Sequence, residues 1–275
     1  MKAGRWRVAL ILFGVLLVSD ALASDIQWQE RADFSRIFVQ ADVIGTVVVF
    51  DETGQNWLVH DPIRAEAAYS PASTFKVFNA LAALESGAVS DEYEVIRWDG
   101  QERRMPAWNR DHSLASGMRY SVVWFYQAVA RRIGAKRMQA YLDAVDYGNR
   151  SIGDTIDQFW LDNSLRISAR QQVDFLRRLA DGKLPFTERS QEAVRRITIS
   201  TDAPGWILHQ KTGWSTRGAA DGKTDLGWSV GWLERDGRRW FFAINIDMPA
   251  ADDATKRLSI PLRLLESIGA FGPDR

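Results

Sequence analysis

Ser73-Thr74-Phe75-Lys76 is the only Ser-x-x-Lys in the 275-residue chain. On a helix, positions i and i+3 share a face, so the Lys76 amine reaches the Ser73 hydroxyl. A helix N-terminus adds unpaired N–H groups and partial positive charge where an oxyanion would form. These are the parts of a serine nucleophile with a lysine partner. Composition narrows the alternatives: Cys is absent, which removes thiolate nucleophiles, zinc–thiolate sites and disulfides together. His60, His112 and His209 fall at no metal-ligand spacing, so no metal is expected.

Two further segments supply polar groups of the right kind. Lys211-Thr212-Gly213 reads as strand, where Lys and Thr present a cation and a hydroxyl to a carboxylate, and Gly leaves room for a ligand against the backbone. Ser121-Val122-Val123 opens a helix in the middle of the chain and offers a second hydroxyl. A competing motif, Gly227-Trp228-Ser229-Val230-Gly231, matches the nucleophile elbow Gly-x-Ser-x-Gly. That elbow needs strand, sharp turn and helix, with its histidine later in the chain. Here strand flanks both sides and every histidine precedes Ser229, so Ser229 reads as a strand residue between tryptophans.

The elements that must position these groups follow from pattern. Val43 to Phe50 is rich in β-branched residues, and Asp51-Glu52-Thr53-Gly54 turns it into Trp57 to His60, a hairpin. Ser70-Pro71 opens the helix that carries Ser73 and Lys76, with Ser as cap and Gly87 as stop. From there to Ile199 the pattern is mostly helical, broken at Gly134, Tyr147-Gly148-Asn149 and Gly182. Strands return at Ile207 to Trp214, Leu226 to Glu234 and Arg239 to Met248. A closing helix holds Leu258, Leu262, Leu265 and Ile268 at helical spacing. The fold class is therefore α+β: a central antiparallel sheet built from both termini, flanked by helices, with an inserted all-helical subdomain. The sheet lobe spans about 24–65 and 200–275, the helical lobe about 66–199, and the cleft between them is where a small molecule would bind.

Ser-x-x-Lys, a Ser-x-x element and Lys-Thr-Gly in this order form the signature of penicillin-recognising serine enzymes. Ser-x-Val at Ser121 to Val123 sharpens this, as do Tyr147-Gly148-Asn149, Phe159-Trp160-Leu161 and Lys211-Thr212-Gly213-Trp214. With the blocks Tyr69 to Lys76 and Phe241 to Asp247, the chain resembles the class D (oxacillinase-type) β-lactamases over nearly all of 24–275. The resemblance implies that Ser73 is the acylated nucleophile, with an oxyanion hole from the backbone N–H groups of Ser73 and Trp214. It implies that Lys76 is the general base and carries a carbamate (N6-carboxylysine) formed with CO2, with Trp160 as that anion's partner. Ser121 would relay a proton to the leaving nitrogen, and Lys211, Thr212 and Arg257 would bind the substrate carboxylate. Met105 and Trp108 would line the cleft mouth, and Asn149 would stabilise its own turn. The chemistry is coherent: a free lysine, pKa ~10.4, is protonated at neutral pH, and burial disfavours the ammonium. Phe75, Val77, Val123 and Leu161 are the apolar residues expected to wall the amine in.

Outside the site, Lys2, Arg5 and Arg7 precede an 11-residue apolar run, Val8 to Val18, and Ala21-Leu22-Ala23 follows as a small-x-small cleavage pattern. The run is shorter than the ~20 residues a bilayer-spanning helix needs. Residues 1–23 therefore read as a cleaved signal peptide, and 24–275 as a single periplasmic domain without a membrane span. A formal net charge of zero, with no basic cluster, argues against nucleic acid. The expected partner is a small-molecule β-lactam, with no bound cofactor beyond CO2, and the protein a monomer or homodimer. Two other readings share the motifs: a penicillin sensor that is acylated without turnover, and a cell-wall D-Ala-D-Ala peptidase.

Overall fold

The computed structural model describes Met1 and residues 26–272, so the expected signal peptide lies outside the described residues. In chain order the elements are β1 (Trp28–Glu30), α1 (Ala32–Ala41), β2 (Gly45–Asp51), β3 (Asn56–His60), α2 (Pro62–Glu66), α3 (Lys76–Glu85), α4 (Leu114–Arg119), α5 (Val123–Ile133), α6 (Ala135–Val145), α7 (Ala169–Ala180) and α8 (Glu188–Thr198). Then come β4 (Ile199–Ala203), β5 (Trp206–Ser215), β6 (Asp225–Arg235), β7 (Arg238–Met248) and α9 (Asp253–Ser267). The described strands form one sheet in the order β1-β3-β2-β7-β6-β5-β4, so the N-terminal hairpin pairs with the C-terminal strands through β2 and β7.

The expected sheet is antiparallel in every pairing but one. Strand β1 joins the edge parallel to β3, and its three residues carry no alternation that marks their direction in advance. Both faces of the sheet are covered. Alternation along β2 sends Val47 and Val49 toward α1 and α9, and Val48 and Phe50 toward the helical core that surrounds α3. Helix α7, although it lies within the helical stretch, packs directly across β7, β2 and β6.

Helix α3 is covered on all sides and sits at the centre of the larger core; every residue from Lys76 to Ala83 is buried. Gly87, with φ +68°, ends it as expected, and Gly134, with φ +80°, separates α5 from α6. Its start differs from expectation. Ser70 does not cap the helix: its hydroxyl donates to Trp160 O at 2.9 Å, while its carbonyl accepts from Trp228 Nε1 at 2.9 Å. The chain enters instead through a 3-10 turn, Ala72–Phe75, with Pro71 at its cap.

The closing helix buries the second half of its expected stripe, Leu265 with Ile268 packed beside the core, but not the first. Ile260, Pro261, Leu264 and Leu265 are buried, whereas Leu258 and Leu262 are exposed. Its packing against β7, β6 and α1 fixes that rotation. The stretch from 88 to 113, expected to be mostly helical, is irregular apart from one 3-10 turn, Pro106–Trp108, and one antiparallel bridge between Ile96 and His112. Side-chain acceptors such as Asp91 and Asp111 take its backbone N–H groups in place of helical carbonyls.

Candidate active site

The site begins with the turn that presents Ser73. Ala72, immediately before it, is buried and held at φ +47°, a left-handed conformation that costs a non-glycine residue about 1–3 kcal/mol. Several contacts hold it there. Tyr69 and Ile167 exchange backbone hydrogen bonds of 3.0 and 2.8 Å, which brings the start of α7 against the turn. From α7, buried Gln172 donates Nε2–H to Thr74 Oγ1 at 2.9 Å, and that hydroxyl donates to Pro71 O at 2.8 Å. Strand β5 presses from the other side, and a side chain at Gly213 would crowd that approach. A Cβ on Gly213 would stand 3.0 Å from Pro71 O and 3.2 Å from Thr74 Cγ2.

Ser73 itself is partly exposed, and its Oγ lies 2.6 Å from Lys76 Nζ. Lys76 has no solvent-exposed surface. Burial pushes its pKa well below the usual lysine value, and the positive charge of Lys211 pushes in the same direction. Its amine faces the ring of Tyr126, 5.7 Å from the centroid, on the second turn of α5. Tyr126 was not among the residues expected around the lysine; the available signal was its place one helical turn after Val123. Phe75 and Val77 are buried as expected, whereas Val123 and Leu161 are half-buried.

Trp160 is fully buried and stacks on Phe75, with ring centroids 5.2 Å apart. Its indole Nε1–H has no hydrogen-bond partner although it is shielded from water. A buried donor without an acceptor costs about 1–3 kcal/mol, so the position is arranged for an acceptor. The carbamate that the class D resemblance implies on Lys76 would supply such an acceptor.

A second group lies beside the first. Lys211 Nζ donates to Ser121 Oγ at 3.0 Å and to Thr212 O at 2.9 Å. Burial lowers the Lys211 pKa to about 7, assisted by the Arg257 cation. Ser121 stands at φ +54°, outside α5, so Val122 takes the helix-cap position and the Ser121 hydroxyl is left free for Lys211. Arg257 Nη1 donates to Gly213 O at 2.8 Å, and its guanidinium lies 5.2 Å from the Trp214 ring centroid. A cavity of about 520 Å³ opens beside Lys211 and Thr212, with Met118, Arg119, Ile199 and Leu258 among its walls. Leu258, turned outward by the packing of α9, is part of this wall.

The remaining predicted residues fall into supporting places. Met105 and Trp108 flank and close the 3-10 turn; Trp108 Nε1 donates to Tyr120 O and Trp108 O accepts from Trp124 Nε1, which ties the turn to the residue before Ser121. Asn149 secures its own loop, accepting from Ser151 N and Arg166 N and donating to Ser164 O. Ser229 is buried within β6 and accepts from Gln210, as a strand residue should. The histidines are spent on structural contacts: His60 with Ser35, His112 with Ser116 and Ala107 O, His209 with Thr198. Among the described residues, no three His, Cys, Asp or Glu side chains are grouped to hold a metal ion.

Known proteins with this arrangement are readily found. The family described as penicillin binding protein transpeptidase domain matches residues 45–265. The chain is 42% identical over 260 residues to β-lactamase OXA-48 of Klebsiella pneumoniae, covering 94% of this chain and 97% of that one. It is 40% identical over 271 residues to β-lactamase OXA-3 of Pseudomonas aeruginosa, covering 98% and 96% respectively. Among solved structures, FUS-1 (OXA-85), a class D β-lactamase of Fusobacterium nucleatum subsp. polymorphum, superposes with a TM-score of 0.84 at 37% identity, covering 87% of this chain and 98% of that one. The class D β-lactamase YbXI from Nostoc superposes with a TM-score of 0.82 at 39% identity, covering 86% and 98%.

Proposed function

The chain belongs to the class D β-lactamases, within the penicillin binding protein transpeptidase family, and we propose that it hydrolyses the β-lactam amide of penicillins and related antibiotics, conferring resistance to them. The observation that carries the mechanism is the 2.6 Å separation of Ser73 Oγ from the amine of a fully buried lysine. Burial favours the neutral form of that amine, and a neutral amine is both a base and a nucleophile toward CO2.

The unpartnered Trp160 N–H and the lowered pKa of the buried Lys76 amine together fit a lysine carbamate, which would form as Nζ bonds to CO2 and releases a proton to solvent. The group supplies an anionic base in a site otherwise lined with cations. Around it the chain's residues have separate tasks. Lys76 takes the Ser73 proton as Oγ bonds to the lactam carbonyl carbon. The backbone N–H groups of Ser73 and Trp214 hold the oxyanion; β5 brings the second of these to the nucleophile turn because Gly213 lacks a side chain. As the C–N bond breaks, Ser121 passes a proton from Lys211 to the nitrogen, along the 3.0 Å contact between them. Lys76 gives up the proton it took, which restores Lys211 through solvent; the same base then deprotonates water as it attacks the ester, and returns that proton to Ser73 Oγ as the C–O bond breaks. Lys211, Thr212 and Arg257 hold the substrate carboxylate, while Val123 and Leu161 contribute apolar wall.

Residues 24–275 act as a single unit of two lobes, with the reaction at their junction. The basic, apolar and small-x-small sequence of 1–23 supports a cleaved signal peptide and a working protein in the periplasm. Among the described residues, no helix is long and apolar enough to cross a membrane.

The test is turnover. Purified protein is mixed with excess chromogenic cephalosporin, with and without bicarbonate, beside Lys76→Ala. Sustained hydrolysis that bicarbonate raises, and that Lys76→Ala loses, is the expected result. A single stoichiometric burst indifferent to bicarbonate would contradict hydrolysis and indicate a penicillin sensor.

A further inference from the structure

The carboxylate end of the cleft depends on a residue outside the motifs. The Trp214 indole is 41% exposed at the end of β5, opposite Gly227, which offers it no side chain for support. An exposed aromatic ring in that position would sample several rotamers unless tethered. Asp225, the first residue of β6, supplies the tether: its Oδ2 accepts from Trp214 Nε1 at 2.6 Å. Its other oxygen, Oδ1, accepts from Arg217 N at 2.9 Å, at a residue held at φ +54°. Both carboxylate oxygens are thus engaged and the side chain cannot swing away.

On the tethered ring rests Arg257. Its guanidinium is 5.2 Å from the ring centroid, one Nη donates to Gly213 O, and its Nε is buried without a partner. Two contacts therefore set the direction of the cation, and one of them is the indole face. We propose that Asp225 is a positioning residue that fixes the Trp214 platform and, through it, aims Arg257 at the substrate carboxylate. The proposal rests on the role of Arg257 given above. The Trp214 backbone is held separately, by the β5–β6 ladder opposite Gly227, so the oxyanion donor does not depend on the indole. Loss of Asp225 therefore weakens substrate binding and spares the chemical steps.

The experiment is steady-state kinetics with a penicillin for Asp225→Ala, Asp225→Asn, Arg257→Ala and the double variant Asp225→Ala/Arg257→Ala, with melting curves to verify folding. Asp225→Ala is expected to raise KM about fivefold or more with kcat changed less than about twofold, and Asp225→Asn, which keeps one acceptor oxygen, to fall between it and the parent. Arg257→Ala raises KM further, and adding Asp225→Ala to it changes nothing, because the residue acts through the missing cation. If Asp225→Ala leaves KM unchanged while Arg257→Ala raises it, the proposal fails and the Arg257 reading stands. If the two penalties multiply, Asp225 is only a loop anchor and the proposal fails. If Arg257→Ala leaves KM unchanged, both fail.

Discussion

Lys76 Nζ stands 2.6 Å from Ser73 Oγ inside a core where the lysine has no exposed surface. The contact joins reactivity to instability, because the environment that keeps the amine neutral is one an ordinary lysine resists. A group whose pKa is lowered on folding holds fewer protons folded than unfolded, so its stability cost grows as pH falls below its unfolded pKa.

Lys76→Met is therefore expected to abolish turnover and to stabilise the fold. Stability of the parent should rise with pH between the lowered folded pKa of Lys76 and its ordinary value of 10.5, by at most about 1.4 kcal/mol per pH unit. Chemical denaturation at pH 7 and pH 9 checks it: the pH slope should shrink in Lys76→Met, and an unchanged slope would contradict a neutral buried amine. Bicarbonate should raise the melting temperature of the parent and leave that of Lys76→Met where it was.

Lys211, whose pKa burial lowers to about 7, titrates in the working range. Its cationic form attracts the substrate carboxylate, so KM should rise as pH increases through about 7 and the proton is lost. Binding an anion favours the ammonium, so complex formation above pH 7 takes up a proton. Lys211→Arg, permanently charged, should flatten the KM profile; isothermal titration in buffers of different ionisation enthalpy measures the proton uptake.

Trp160→Phe keeps the stack on Phe75 and removes the unpartnered N–H. It should weaken retention of CO2 by about tenfold or more, as expected for a lost hydrogen bond to a charged acceptor. The half-saturating bicarbonate concentration for activity should shift upward by that factor, with much of kcat recovered at saturation. Equal loss of rate at every bicarbonate concentration would point to damaged packing.

Thr74→Val leaves Gln172 Nε2 without its acceptor, at a cost of about 1–3 kcal/mol, while Pro71 O keeps the Thr74 backbone N–H at 3.1 Å. Adding Gln172→Leu removes the orphaned donor and should recover part of that stability in urea titrations. Activity should not return with it, because the turn that holds Ala72 at φ +47° has lost its polar bracing.

Much of this arrangement was legible in the chain itself. Alternation and turn residues located β2–β3 and β5–β7 to within about two residues, and short motifs named Ser73, Lys76, Ser121 and Lys211. What escaped was decided by distant partners. Ser70 looks like a cap until Trp160 and Trp228, far along the chain, claim its hydroxyl and carbonyl. Leu258 and Leu262 fit a helical stripe, yet the rotation of α9 follows the face it packs on β7, leaving Leu258 to line the cleft. Gln172, Tyr126 and Asp225 carry no motif; each acts on a group more than ten residues away or on another element, which spacing along one segment does not reveal.

The central claim is that one buried lysine, carrying CO2, serves as the base. It is tested most directly by carbon NMR of the protein in 13C-labelled bicarbonate, followed in parallel with turnover of a penicillin. A protein-bound carbamate resonance that grows with bicarbonate in step with kcat, and is absent from Lys76→Ala, is the predicted result. Full turnover with no labelled resonance would contradict it.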